Sequence, residues 1–242
     1  DQLWRRELPA VPEEPSYDPN RDAARPGEGQ RGRVDPLAFL AGPVVVEFVD
    51  DAAKAGVTTA EALRKCIDAE NKTVRSLTGE LSWDWGKGVC RIDAHKAQGV
   101  IGLLKQAGGT FELSDVTIES GNEYASIVVV SMDDKPLRDS ARVLVQVGTT
   151  ARPTGWKTKP ATLGEGKGAE SGREIVSFGK APWRIAPTDA TLAIRNPALL
   201  TATILDPNGM PRQAVGLRAA DGAVRLRLPP GALYVVLSGS AK

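Results

Sequence analysis

Between residues 77 and 147 the chain reads LTGELSWDWGKGVCRIDAHKAQGVIGLLKQAGGTFELSDVTIESGNEYASIVVVSMDDKPLRDSARVLVQV. Apolar and polar residues alternate, or apolar ones run briefly together, over 81–85, 89–93, 99–104, 110–118, 126–132 and 142–147. Each run is closed by turn chemistry: Gly86-Lys87-Gly88, Gly108-Gly109, Ser120-Gly121-Asn122 and Asp133-Asp134-Lys135-Pro136. A period of two places alternate side chains on one face of a strand, so each run predicts a strand with one buried side. Six such strands in a row predict a mainly β protein, an antiparallel β-sandwich or jelly-roll.

The pattern changes on either side. Residues 1–34 hold many charges and prolines and few periodic apolar positions, which predicts an extended arm or linker. Val44-Val45-Val46-Glu47-Phe48-Val49 is dense in β-branched residues and predicts a strand. Thr58 or Thr59 as N-cap, Glu61 as its capping-box partner, and Ala62, Leu63, Cys66 and Ile67 on one face predict a single helix over 59–70. After residue 150, TTARPTGWKTKPATLGEGKGAESGRE has neither period, and 151–172 is expected to be an irregular loop. Strands are expected again over 174–178, 183–186, 190–195, 201–205, 223–228 and 232–237, forming with 35–150 one β unit or a second small one. Asp206-Pro207-Asn208-Gly209 and Asp221-Gly222 are strong turn signals among them.

Charge narrows the range of partners. Thirty-one Lys and Arg against 30 Asp and Glu leave no net field to attract nucleic acid. No apolar run approaches the roughly 20 residues of a membrane span. The opening residues DQLWRRELPAVPEEP lack the features of a signal peptide, and the chain is expected to be a piece of something longer. Cys66 and Cys90 are either two buried thiols or a bridge. With His95 they match no metal-ligand spacing, so neither metal nor cofactor is expected.

Candidate chemistry is sparse. His95 is the only histidine and sits at a predicted strand end, where a surface turn is expected. Glu80, Asp84, Glu112, Glu119 and Glu123 fall at strand ends or solvent-facing positions, and no acid/base pair can be placed among them. No catalytic residue is therefore assigned. Trp83 and Trp85 are two apart in one strand and project from the same face. Such a pair is a sugar-stacking platform, a core element joining two sheets, or a contact to another domain. Trp156, in the segment with no period, is the third candidate for carbohydrate contact and is expected to be the most exposed of the five tryptophans. Trp83 and Trp183, each within an apolar strand pattern, are expected to be buried.

The segments TGELSWDWGKGVCRIDAHKAQ at 78–98 and SMDDKPLRDSARVLV at 131–145 carry a likeness to a known family. They resemble the β-rich region that follows the (β/α)8 barrel in certain bacterial glycoside hydrolases. The closing PWRIAPTDATLAIRNPALLTATILDPNGM and LPPGALYVVL are similar to the end of the same region. The resemblance covers about 35–237, with His95 where proline is common and Met132 where leucine is common. It implies a non-catalytic accessory domain of a secreted or periplasmic enzyme, with the catalytic barrel or a polysaccharide as its partner. The carboxylates of those enzymes lie in the barrel, so none is carried over and no hydrolysis by this chain alone is expected. A stand-alone carbohydrate-binding module, or a small β-sandwich glycosidase, is the alternative.

Overall fold

The computed structural model describes residues 37–43, 45, 48, 50, 61–163 and 170–239. The arm expected over 1–34 lies outside the described residues. So do Thr58 and Thr59, the expected helix N-cap. The chain is an antiparallel β-sandwich. Its meander consists of β1 (Ile67–Asp68), β2 (Thr73–Arg75), β3 (Leu81–Asp84), β4 (Val89–Asp93), β5 (Ala97–Gly102), β6 (Thr110–Glu112), β7 (Val116–Ser120), β8 (Ala125–Ser131) and β9 (Arg142–Thr149). Four strands follow in one excursion: β10 (Ala151–Thr154), β11 (Lys157–Leu163), β12 (Glu170–Ser177) and β13 (Lys180–Ile185). The chain ends with β14 (Ala190–Ile194), β15 (Leu199–Leu205), β16 (Pro211–Gly216), β17 (Ala219–Ala220), β18 (Ala223–Arg227) and β19 (Tyr234–Gly239).

Ten strands form the larger sheet in the order β1-β2-β3-β4-β5-β8-β9-β19-β15-β16, and five form the smaller in the order β17-β18-β14-β7-β6. Strands from both ends of the sequence therefore share both sheets. The strands after residue 190 complete the first unit and do not build a second.

The alternation in the sequence sets this arrangement. Along β8, Ala125, Ile127 and Val129 point inward, as do Val143, Val145 and Val147 of β9 and Val235 and Leu237 of β19. Phe111 of β6, Val116 and Ile118 of β7, Ala190, Leu192 and Ile194 of β14, and Val224 and Leu226 of β18 meet them from the smaller sheet. These side chains form one apolar cluster between two sheets, and a one-residue slip of any strand would turn its apolar set to water.

Two polar locks tie the layers together. The buried Gln98 accepts a hydrogen bond from the Asp115 N–H at 2.8 Å, and its amide nitrogen faces the Asp115 carboxylate at 3.4 Å. Arg138 pairs with the other oxygen of Asp115 at 3.3 Å. Buried Asn196 donates to the carbonyls of Leu137 and Ser140, both at 2.8 Å. Buried polar groups satisfied in this way fix a register that apolar contacts alone leave looser.

The expected helix is cut short. One helical turn covers Glu61–Arg64, after which Ile67 and Asp68 pair with Val74 and Thr73 in a hairpin. Asn71 closes that turn by donating its backbone and side-chain N–H groups to the Asp68 carboxylate, and Lys72 takes the left-handed φ of 55°. Cross-strand pairing with β2 thus overrides the helical spacing of Cys66 and Ile67. A second helical turn, Ala38–Ala41, rests on β2, and the Leu77 N–H donates to the Ala41 carbonyl at 2.8 Å. Of the strand expected at 44–49, only Val45 and Phe48 are described. Neither is in a strand and both are exposed.

The segment expected as an irregular loop over 151–172 is strand wherever it is described, apart from the turn at 155–156. β10 pairs with β13 and β11 with β12, so residues 151–163 and 170–185 form one long antiparallel ribbon with left-handed glycines at Gly155 and Gly179. Gly179 has φ 68°, and a Cβ there would lie 2.3 Å from the Thr154 carbonyl oxygen, so only glycine fits the bend. The ribbon contributes no residue to the core. Both its faces meet solvent, and its residues show no hydrophobic period for that reason.

Candidate functional site

Three places gather side chains with binding chemistry: the outward face of the larger sheet, a cleft beside β3, and the ribbon of 151–185. The outward face follows from the register. Val74, Trp83, Cys90 and Ile101 lie in one cross-strand row, and Leu81, Ile92, Gly99 and Val128 in the next. Ala97, Val130, Leu144 and Val236 form a third. A sheet face open to water would carry polar residues at these positions. Here it is apolar, and it is only partly covered: Leu81 and Trp83 are 37% and 38% exposed, while Ile92, Ile101, Val128, Val130 and Leu144 are half-buried.

The cleft lies on the inward side of β2–β4. It encloses about 230 Å³ and is lined by Thr73, Ser82, Asp84, Lys87, Arg91 and Trp83, among others. This is smaller than the 300–1,000 Å³ usual for a small-molecule site. Asp84 is its only carboxylate. One of its oxygens accepts the Lys87 N–H at 2.9 Å and the other lies 3.6 Å from the Lys87 ammonium, so it caps the Gly86-Lys87-Gly88 turn. Arg91 extends over the buried Phe111 ring at 5.4 Å and forms the cleft floor.

The expected tryptophan platform is not assembled. Trp83 and Trp85 are neighbours, with ring centres 6.5 Å apart, but their planes meet at 63°. Rings at that angle cannot present one flat surface to a pyranose. Trp156 sits in the ribbon, and the ribbon's base adjoins β9. Four strand spacings, about 19 Å, separate β9 from β3, so Trp156 does not join the other two. Its ring is half-buried, with the Arg152 guanidinium 4.7 Å above it and Phe178 edge-on at 5.6 Å. Arginine stacking and an aromatic edge stabilise the bend of the ribbon.

The exposure expectations are corrected in turn. Trp183, expected to be buried, is 65% exposed, and it is more exposed than Trp156. Trp83, expected to be buried, is also exposed. The apolar strand pattern around Trp183 was legible. That the strand belongs to a ribbon with no covering layer was not.

The motifs that carry the family likeness hold the sandwich together. In 92–98, Asp93 accepts from the Ser114 N–H at 2.9 Å and from its hydroxyl at 3.1 Å, and Gln98 forms the lock to Asp115. The exposed His95 contributes its backbone carbonyl to the N–H of buried Leu137. In 131–140, Asp133 accepts from the Ser131 hydroxyl and the Ala141 N–H. Hydrogen bonding from Ser140, Ala141 and Ser131 holds its carboxyl well below the usual range, at about 2. Lys96 pairs with Asp134 across the same junction. Cys66 and Cys90 are not bridged to each other, and burial pushes the Cys90 thiol up. Among the described residues no cluster of metal-ligating side chains occurs, and no helix is long and apolar enough to cross a membrane. Searches of family models, of curated proteins and of solved structures find no match to this chain.

Proposed function

We propose that this chain is a non-catalytic accessory β-domain of a glycoside hydrolase and that it braces a partner domain through the outward face of its larger sheet. The observation that carries the reading is the apolar outward face, from Leu81 and Trp83 through Ile92 and Val128 to Val130 and Leu144. Contiguous exposed apolar surface marks an interaction site more often than an accident of composition. The resemblance supplies the class of partner, a (β/α)8 barrel. The alternative, a stand-alone carbohydrate-binding module, draws support from Trp83 at the rim of the cleft. The 63° angle between the two indoles weighs against it.

The test combines titration calorimetry with glycan pull-down. A bacterial glycoside hydrolase barrel supplied in trans should bind the parent chain, and Val130→Asp should abolish that binding while leaving the fold intact. Neutral and acidic polysaccharides should not retain the chain. Retention that is lost in Trp83→Ala would replace bracing with the binding-module reading.

A further inference from the structure

The inward face of the larger sheet changes character towards its β1 end. Along β5, β8 and β9 the inward residues Val100, Ile127 and Val147 stand in one cross-strand row and are buried in the core. The same row continues into Arg91 of β4, Ser82 of β3 and Arg75 of β2. Its neighbour runs from Ala125 and Gly102 through Val89 to Asp84 and Thr73. The smaller sheet ends at its edge strand β6, whose Phe111 meets the Arg91 side chain. Past that edge β2 and β3 extend as a polar shelf, and the 230 Å³ cleft lies on it.

Exposure explains why the shelf is polar. It does not explain how its charges are paired. The nearby acids are committed: Asp84 serves the Lys87 N–H and ammonium, and Asp93, the next inward residue of β4, accepts from the Ser114 N–H and hydroxyl. The guanidiniums are not. Arg75 donates its Nε to the Gly79 carbonyl at 3.2 Å and has no carboxylate partner among the described residues. Arg91 has neither an ion pair nor a side-chain hydrogen bond among them. The hydroxyls of Thr73 and Ser82, both half-buried residues, also lack a protein partner there. One guanidinium and two hydroxyls thus line a single small cleft with their hydrogen-bonding capacity unused.

We propose that this cleft binds the oxyanion of a small molecule, a carboxylate or a phosphate, through Arg91 with Ser82 and Thr73. A guanidinium is planar and carries five N–H donors in a fork that matches either oxyanion two bonds at a time. Its place over the Phe111 ring, 5.4 Å from the centroid, fixes Arg91 at the cleft floor without consuming any of those donors. The two hydroxyls can turn to donate to the same oxygens. Two cations, Lys87 and Arg91, face one carboxylate in the lining, so the cleft favours an anion. Its volume admits one small anion and not a run of linked sugars. The bracing face lies on the opposite side of the sheet, so this site stands apart from that reading.

NMR titration of the isotope-labelled full chain with sodium phosphate, and separately with sodium acetate, tests the site, with ionic strength held constant by sodium chloride. Backbone amides of Thr73, Ser82 and Arg91 should shift together and saturate, with a Kd on the order of millimolar or tighter. The melting temperature should rise with the same anion. Saturation by phosphate alone assigns a phosphate ligand and by acetate alone a carboxylate, and either supports the site. Arg91→Gln should weaken binding on the order of tenfold or more, and Ser82→Ala about fivefold. Because Arg91 packs on Phe111, Arg91→Lys is the folding control: it keeps stem and charge, and should bind less tightly than the parent but more tightly than Arg91→Gln. Val130→Asp should bind the anion as the parent does, so this site and the bracing face fail separately. Shifts that grow linearly with both anions and never saturate would overturn the proposal. So would Arg91→Gln and Ser82→Ala variants that bind as tightly as the parent.

Discussion

The sandwich and the ribbon are built from the same antiparallel pairing, yet they differ in everything that pairing does not supply. In the sandwich, each strand presents one face to a second sheet, and Phe111, Ile118, Ile127, Leu192 and Leu237 are wholly buried. Over the ribbon no second layer lies among the described residues, and every residue of β13 is exposed. Hydrogen bonds are present in both. Burial is confined to one. The comparison shows why alternation is a signal of layers and not of strands: it is imposed by a dry face, and the ribbon has none. It also separates two kinds of tryptophan. Trp83 lies on a sheet that is packed on the core, while Trp183 lies on a ribbon that contributes nothing to it.

The largest expected contrast is in hydrogen exchange. Amides of 125–131 should exchange only through global unfolding, those of 157–162 and 171–177 through local opening. Rates should differ on the order of a thousandfold or more, given the usual range of domain stabilities. Equal protection in both segments would mean that the ribbon is covered in solution, and would break the comparison.

Next comes truncation of the core. Phe111→Ala should cost about 3–5 kcal/mol in denaturant unfolding, because it opens a cavity beneath Arg91. Ile175→Ala in the ribbon should cost no more than about 0.5 kcal/mol. A large loss from the ribbon change would show that its stability is coupled to the body.

Gln98→Ala sharpens the comparison within the sandwich. It leaves the buried Asp115 N–H without an acceptor and should cost about 1–3 kcal/mol, a penalty no ribbon position can match. Gln98→Glu, which keeps an acceptor for that N–H, places a second carboxylate against Asp115 and should also destabilise, more so at neutral than at acid pH.

Acid should act on the sandwich through Asp133. Its carboxyl is held down to about 2, below its value in an unfolded chain, so its contribution is complete above about pH 4. That contribution is lost as pH falls through about 2. Asp133→Asn should remove this part of the acid dependence in a pH series of melting curves, and an unchanged profile would show that the loop does not depend on the charge.

The smallest effect concerns Cys90, whose thiol is raised by burial. Alkylation at pH 8 should be slower for Cys90 than for a free cysteine, and faster modification would place it on an open surface.

How much of this was legible in the sequence depends on whether the deciding contact was local. The six strands of 77–147 and the later ones at 190–237 could be read because each carried its own alternation and its own turn. The β fold class follows from those alone. The motifs at 78–98 and 131–145 were legible as a likeness, but their roles were not. Gln98 meets Asp115 from another strand, and Asn196 meets Leu137 across 59 positions. The helix at 59–70 was overestimated because a three-four spacing looks the same whether or not a neighbouring strand claims its second half. Ile67 opposite Val74 made that claim. Trp83 and Trp85 were placed on one strand face by their spacing, but the 63° between their rings came from packing that no spacing encodes.

By itself, then, the sequence determined which residues form strands, which side of each strand is apolar, and where the turns fall, because those depend on neighbours within a few positions. Tertiary structure alone decided which apolar sides face each other and which remain open. The alternation of 126–130 is equally compatible with either surface of the sheet being dry. Only the arrival of β7, β14 and β18 over Ile127 and Val129 made one side the core and left Val128 and Val130 outside. The same holds for the ribbon. Its residues pair as strands on local grounds, and among the described residues no second sheet lies over it. Burial is a property of what comes to lie on top, and that information is distributed over the whole chain.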